Sequence, residues 1–144
     1  MIYTETGKYA IRALLYLSDA DNGTITANEI AEAETIPPYY LAKVLKDLSN
    51  VGILDSIRGR GGGFKLNRPA SEITVLEILE AAENLQRRVE ACVLGLDKCT
   101  DEAPCALHDY WKEFRETTLA TLANLTLADL LSEHHKKLAN VLPG

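Results

Sequence analysis

No stretch of this chain approaches the ~20 consecutive apolar residues that cross a bilayer, so no membrane association is expected. The opening Met-Ile-Tyr-Thr-Glu-Thr-Gly-Lys lacks the basic start and apolar run of a signal peptide. A cytoplasmic location is therefore expected, where thiols stay reduced and cysteines serve more often as ligands or sensors than as staples. There is no Cys-x-x-Cys knuckle of the kind a structural zinc site prefers. No nucleophile–base pair or cofactor cradle is present and the carboxylates are scattered, so an enzyme is not expected. Internal repeats and low-complexity segments are also absent.

What remains is an ordinary globular composition, 47% hydrophobic and 25% charged. At 144 residues there is material for one compact domain, or a small domain with a helical extension. The net charge of −6 argues at first against nucleic acid, but it is unevenly spread. Residues 1–70 carry eight basic and eight acidic side chains, while 71–144 carry seven and thirteen. Within the neutral half, Ser56 to Arg68 holds Arg58, Arg60, Lys65 and Arg68 and no acid. A local basic tongue of this kind can grip phosphate on an otherwise acidic protein.

In chain order, Thr4 to about Asp19 reads as a helix with Ala10, Ile11, Leu14, Leu15 and Leu17 on its apolar face, followed by a turn at Asp21-Asn22-Gly23. Thr26 and Glu29 form a capping box for a short helix over 27–34. Pro37-Pro38 opens a third helix whose core face is Leu41, Val44, Leu45, Leu48 and Val51, with Gly52 as C-cap. Tyr39, Tyr40, Lys43, Lys46 and Asp47 then face solvent. Two short helices about a tight connection resemble a helix-turn-helix, although a plain helical bundle shows the same pattern. The next segment decides between them. Ile53–Ile57 and Phe64–Asn67 read as strands about the glycine-rich turn Arg58-Gly-Arg-Gly-Gly-Gly63, which is the hairpin wing of a winged helix. No Gly-Lys-Ser/Thr follows to make the turn a nucleotide-phosphate loop. A second capping box, Thr74 with Glu77, opens a fourth helix whose apolar positions run to Leu85. After the cysteines, Ala106 to Asn124 reads as a long helix with Leu107, Trp111, Phe114, Leu119 and Leu122 apolar. Thr126 to Asp129 caps a last helix with Leu127, Leu130, Leu131 and Leu138, and fraying is expected from Asn140. This tail has little to cover its apolar stripe within one chain, so a two-fold dimer on the long helix is expected, with an intramolecular helical pair as the alternative.

All three cysteines, Cys92, Cys99 and Cys105, lie within fourteen positions, with six and then five residues between them. They cannot all pair as disulfides. Gly95 and Pro104 let their loop fold back, and His108 follows three residues after Cys105. An iron–sulfur cluster takes three thiolates and one further ligand, a thiol switch takes two, and zinc suits neither spacing. On spacing these readings stay open, in that order. Asp97, Asp101 and Glu102 are either oxygen ligands or plain loop charge, and His134 and His135 are expected to face solvent.

Gly7-Lys-Tyr-Ala, Tyr40-Leu, Ser56-Ile-Arg-Gly-Arg-Gly-Gly-Gly-Phe, the three cysteines, Leu107-His108, Trp111 and Thr126-Leu-Ala-Asp-Leu together resemble the IscR/NsrR group of winged-helix iron–sulfur regulators, the Rrf-type family. The resemblance covers nearly the whole chain. It implies a dimeric bacterial transcription factor whose cluster state alters its affinity for an operator, sensing redox state, iron or cluster supply, or nitric oxide. By position the cluster ligands would be Cys92, Cys99, Cys105 and His108, which favours 2Fe–2S with 4Fe–4S as the alternative. The nitric-oxide branch uses an aspartate from the partner's first helix, where Lys8 stands here. Three departures stand out: the first cysteine gap is one residue longer than in the IscR branch, Ala42 replaces that branch's recognition-helix glutamate, and Tyr39 replaces a small residue.

The expectation is mainly α architecture with a small β-hairpin wing, a winged helix-turn-helix plus a long dimerisation helix. Residues 1–80 would bind DNA, 81–108 would hold the helix end and cluster loop, and 106–144 would form the helical dimerisation region. Pro38, Tyr39, Tyr40 and Lys43 would enter the major groove of a palindromic double-stranded operator, with Arg58 and Arg60 on phosphates or in the minor groove. The competing readings are a cluster-free thiol-switch regulator and an iron–sulfur carrier with an incidental winged helix.

Overall fold

Alanine and leucine at helical spacing close the first helix, α1 (Glu5–Asp19), around a stripe in which Ala10, Ala13, Leu14 and Leu17 are buried. The computed structural model describes residues 3–20 and 23–141. The turn expected at Asp21-Asn22 lies outside the described residues. In α2 (Ala27–Glu34) the capping box is formed: the Glu29 N–H donates to Thr26 Oγ1 at 3.2 Å and the Thr26 N–H to Glu29 Oε2 at 2.7 Å. Thr35 ends it in a left-handed conformation, φ +53°. Pro38 then stands in the first turn of α3 (Pro38–Asn50), where its missing N–H costs nothing. Ile30, Leu41, Leu45 and Leu48 from this pair are fully buried against α1.

Val51 does not join that core. The helix ends at Asn50, and Gly52, one residue past the cap with φ +79°, swings the chain so that Ile53 enters instead. Val51 is 57% exposed and Ile53 only 1%. Strands β1 (Leu54–Ile57) and β2 (Gly63–Leu66) pair antiparallel, Leu54 opposite Leu66 and Ile57 opposite Gly63. The wing is anchored by a residue that period-2 patterning does not reveal. Ile25 bridges to Phe64 through N–H···O bonds of 3.0 and 2.8 Å, tying the hairpin to the start of α2.

A 3₁₀ turn (Ala70–Glu72) leads into α4 (Val75–Glu83), opened by the Thr74–Glu77 capping box. The run to Leu85 is not one helix: Asn84 takes φ +52° and splits off α5 (Leu85–Val89). After the cysteine loop come α6 (His108–Asn124), starting two residues later than expected, and α7 (Leu127–Val141). The tail expected to fray from Asn140 is helical to Val141, and residues 142–144 lie outside the described residues.

Helices α4 and α7 begin side by side. Thr74 and Thr126 form an antiparallel bridge, with Val75 N–H to Leu125 O at 2.9 Å and Leu127 N–H to Ile73 O at 2.8 Å. Leu127 thereby reaches the main core beneath α1–α3. A second, smaller core of Val75, Leu79, Leu85 and Val89 receives Trp111, Leu119 and Leu122 of α6 as half-buried neighbours. Leu107 and Phe114, expected on the same apolar face, are exposed, and His108 is the buried residue of α6. Among the described residues no helix is long and apolar enough to cross a membrane.

Burial pushes the Glu77 carboxyl up, but the Thr74 N–H and the Arg68 guanidinium outweigh it and hold it below its ordinary value of 4.5. A carboxyl depressed in the folded state adds stability that is present above its unfolded value and lost as pH falls through the folded one. Glu77→Gln is therefore expected to flatten the acid limb of a stability-versus-pH curve below pH 4.5. Thr74→Ala, which removes the reciprocal cap, should cost about 1 kcal/mol in urea denaturation.

Candidate nucleic-acid interface and metal centre

The first turns of α3 present Pro38, Tyr39, Ala42 and Lys43 to solvent, with Tyr39 83% and Tyr40 54% exposed. Large aromatics left outside are held in place by one another. The Tyr40 ring lies 5.9 Å from Tyr39, edge-on at 81°, and 6.5 Å from Tyr9 of α1. The wing tip lies between β1 and β2. Gly59 and Gly61 adopt φ of +91° and +75°, and Gly62 N–H donates to Gly59 O at 3.0 Å. Thr24 Oγ1 donates to Gly61 O at 2.7 Å, so the turn is tethered rather than loose. Arg58 and Arg60 flank it, both exposed. Side chains with free donors next to close-approaching backbone are suited to phosphate and groove contacts.

The cysteine loop has a defined backbone. Cys92 N–H donates to Asp97 O at 2.8 Å, Gly95 N–H to Cys92 O at 2.8 Å and Cys99 N–H to Glu90 O at 3.0 Å. Gly95 and Asp97 take left-handed φ of +77° and +61°, which closes residues 91–98 into a tight hairpin with Ala91 bridged to Lys98. Trp111 Nε1 donates to Ala91 O at 3.0 Å and fastens the hairpin to α6.

Of the four candidate ligands, Cys99 and His108 are in direct contact. Cys92 is only 8% exposed, and its thiol is lowered below the ordinary 9.0 chiefly by the N–H of Leu94, then that of Leu96, against the opposing effect of burial. The Cys105 side chain lowers it further. Cys99 Sγ sits 3.2 Å from His108 Nδ1. His108, 5% exposed, turns its other nitrogen, Nε2, to Asp101 Oδ1 at 2.8 Å, and Lys112 Nζ reaches both Asp101 oxygens at 3.0 Å. The Asp101 carboxyl is held below its ordinary 3.8, first by the His108 hydrogen bond and then by Lys112. Among the described residues, no three His, Cys, Asp or Glu side chains meet as a single metal-holding group. The loop thus sets Cys99 against His108 and His108 against Asp101.

Asp101 is neither plain loop charge nor aimed away from the site; it binds His108 across seven residues of irregular chain, a separation with no periodic signal. Asp97 and Glu102 are exposed. His135 is exposed and bonded to Asp19 at 2.8 Å, whereas His134, expected in solvent, is half-buried. Glu83 carries no motif, yet its carboxylate accepts the Gly7 N–H at 2.9 Å and ties α4 to α1.

The family model for Rrf2, described as an iron-dependent transcriptional regulator, matches residues 3–133. The chain belongs to the Rrf2 family of transcriptional regulators. This Rrf2 chain is 34% identical over 140 residues to an HTH-type transcriptional regulator of Aquifex aeolicus, covering 96% of each. It is 31% identical over 134 residues to the HTH-type transcriptional regulator IscR of Klebsiella pneumoniae, covering 92% of this chain and 80% of that one. Among solved structures, the oxidized form of Staphylococcus aureus CymR superposes with a TM-score of 0.71 at 26% identity, covering 91% and 96%. T. potens IscR superposes at 0.73 with 22% identity, covering 98% and 92%, which speaks for the winged-helix fold.

An alanine Cβ at position 62 would lie 2.3 Å from Ile57 O and 2.7 Å from Gly59 O, both backbone, so Gly62→Ala must open the wing turn. The expected result is DNA affinity weakened by roughly tenfold, about 1.4 kcal/mol, with the helical CD spectrum retained. Fluorescence anisotropy on operator DNA, once identified by genomic selection, checks it.

Proposed function

We propose that this Rrf2 regulator is a homodimer whose hold on a palindromic double-stranded operator is set by an iron–sulfur cluster in the 92–108 loop. The observation that carries the reading is the pairing of Cys99 with His108 at 3.2 Å in a loop that also holds Cys92 and Cys105. Three soft thiols and an imidazole suit a cluster better than a hard cation. Four such donors would suit 2Fe–2S, and 4Fe–4S is the alternative nuclearity. Cys92, Cys99, Cys105 and His108 would hold it. When bound, such a cluster supplies a one-electron redox couple.

Residues 1–80 then act as the DNA-binding part, with Pro38, Tyr39, Tyr40 and Lys43 in the major groove and Arg58 and Arg60 on phosphate or in the minor groove. Residues 81–108 form the sensor and 106–144 the dimerisation region. Helix α6 supports this division. Tyr110 and Phe114 stack at 6.4 Å on its exposed face, where a second copy can pack isologously. Because Trp111 fastens the loop hairpin to α6, ordering the loop shifts that helix against α5. A coupling of about 1–3 kcal/mol would suffice to change operator occupancy several-fold or more.

A second reading has its own support. Cys92 is the thiol with the lowered pKa, and with Cys105 it would form a disulfide by passing two electrons and two protons to a low-molecular-weight disulfide oxidant. The oxidized CymR structure shares this fold. Substitution separates the two. Under the cluster reading, Cys99→Ser and His108→Ala abolish the redox response of operator binding; under the thiol reading they leave it intact.

Anaerobic purification is expected to give a coloured dimer with stoichiometric iron and sulfide. A colourless, iron-free protein with full sequence-specific binding would overturn the cluster as the switch. Arg58→Ala is expected to lower affinity and reduce the slope of log K against log salt by about 0.9 for each phosphate no longer neutralised. An unchanged slope would remove Arg58 from the groups that grip the DNA backbone.

A further inference from the structure

His108 is an imidazole with both nitrogens committed and almost no water around it. A neutral ring has one donor and one acceptor nitrogen. The partner of Nε2 is a carboxylate, Asp101 Oδ1 at 2.8 Å, which only accepts. The proton of the neutral ring therefore belongs on Nε2, and the lone pair of Nδ1 is left facing Cys99 Sγ at 3.2 Å. By itself Asp101, on a loop with its side chain 69% exposed, would be a poor anchor. It is braced by Lys112 Nζ, 3.0 Å from each carboxylate oxygen. His108 and Lys112 stand four residues apart on α6, one above the other, so one loop carboxylate can engage both.

We propose that Asp101, braced by Lys112, is the positioning residue that holds His108 in the Nε2–H tautomer and presents Nδ1 beside Cys99 as the fourth donor of the cysteine loop. The carboxylate–imidazole arrangement is the one that orients metal-ligating histidines and raises their basicity. The same contact clips the second half of the loop onto the first turn of α6. Ligation by Nδ1 rests on the cluster reading proposed for this loop, whereas the tautomer and its dependence on Asp101 do not.

The test has two arms on the full chain. In metal-free protein labelled with ¹⁵N-histidine, long-range ¹H–¹⁵N spectra at pH 8 are expected to show His108 as the Nε2–H tautomer. Asp101→Ala should give a mixture of tautomers, and Asp101→Asn should restore the wild-type pattern because its amide oxygen still accepts. In anaerobically reconstituted protein, Asp101→Ala should lose the cluster to a chelator about 10–100 times more readily, the usual effect of removing an outer-shell partner. Lys112→Ala should show the same loss to a smaller extent. Nitrogen hyperfine spectra of the reduced cluster should report Nδ1 ligation. An unchanged tautomer in Asp101→Ala overturns the positioning role, and ligation through Nε2 overturns the assignment of the donor atom. Wild-type protein that takes up no cluster overturns the cluster reading, with the tautomer arm then deciding the role of Asp101.

Discussion

One carboxylate joins the two halves of this molecule. Glu83, at the last position of α4, has a side chain only 6% exposed. A charge so placed must be paired and hydrogen-bonded, or it would cost several kcal/mol. It accepts from the N–H of Thr4 at 3.1 Å and of Gly7 at 2.9 Å, from the Thr4 hydroxyl, and from Arg88 at 2.6 Å. The first N–H groups of α1 have no helical partner and carry the positive end of the helix dipole, so this negative group caps them in place of Thr4's own side chain. Gly7 leaves room for the approach, since a Cβ there would lie 2.8 Å from both Glu83 Oε2 and Leu79 Cδ2 and these side chains would have to move.

The functional surfaces hang from this junction. Helix α1 supports α2 and α3 through fully buried Ala10, Ala13 and Leu14, which fixes where Tyr39, Tyr40 and Lys43 point. On the other side, Arg88 lies on α5, directly before the cysteine hairpin. The cysteine hairpin thus follows directly on a helix packed, through Glu83, against α1. Exposed ion pairs such as Lys136–Glu133 contribute at most about 0.5 kcal/mol each and decide nothing here. Each buried leucine under α3 is worth about 2–5 kcal/mol.

The cysteine loop itself is built differently from the domain that precedes it. It has no buried leucine of its own; Val93, Leu94 and Leu96 are exposed. Its order comes from backbone hydrogen bonds, left-handed residues and the contacts of His108 with Cys99 and Asp101. Segments held by few apolar contacts open at low free energy.

Wherever a local rule was sufficient, the amino-acid order alone determined the result. The two Thr–Glu capping boxes place α2 and α4 to within a residue because cap and helix are neighbours in the chain. Leucine spacing identified the core of α1 and α3, and the glycine-rich turn with its arginines identified the wing. The three cysteines and His108 marked the loop that precedes α6. Contacts between distant residues were decided only by the tertiary structure. Ile25 in the wing, Glu83 at the start of α1 and Leu127 in the first core have no periodic signature, because the partners are brought together by the fold. Val51 was turned out to solvent by one left-handed glycine beside it, and Asn84 divided a helix that apolar spacing read as continuous. Asp101 looked like any loop acid until α6 placed His108 and Lys112 on either side of it. Types of donor are a property of sequence; which nitrogen faces which sulfur depends on packing around a buried ring.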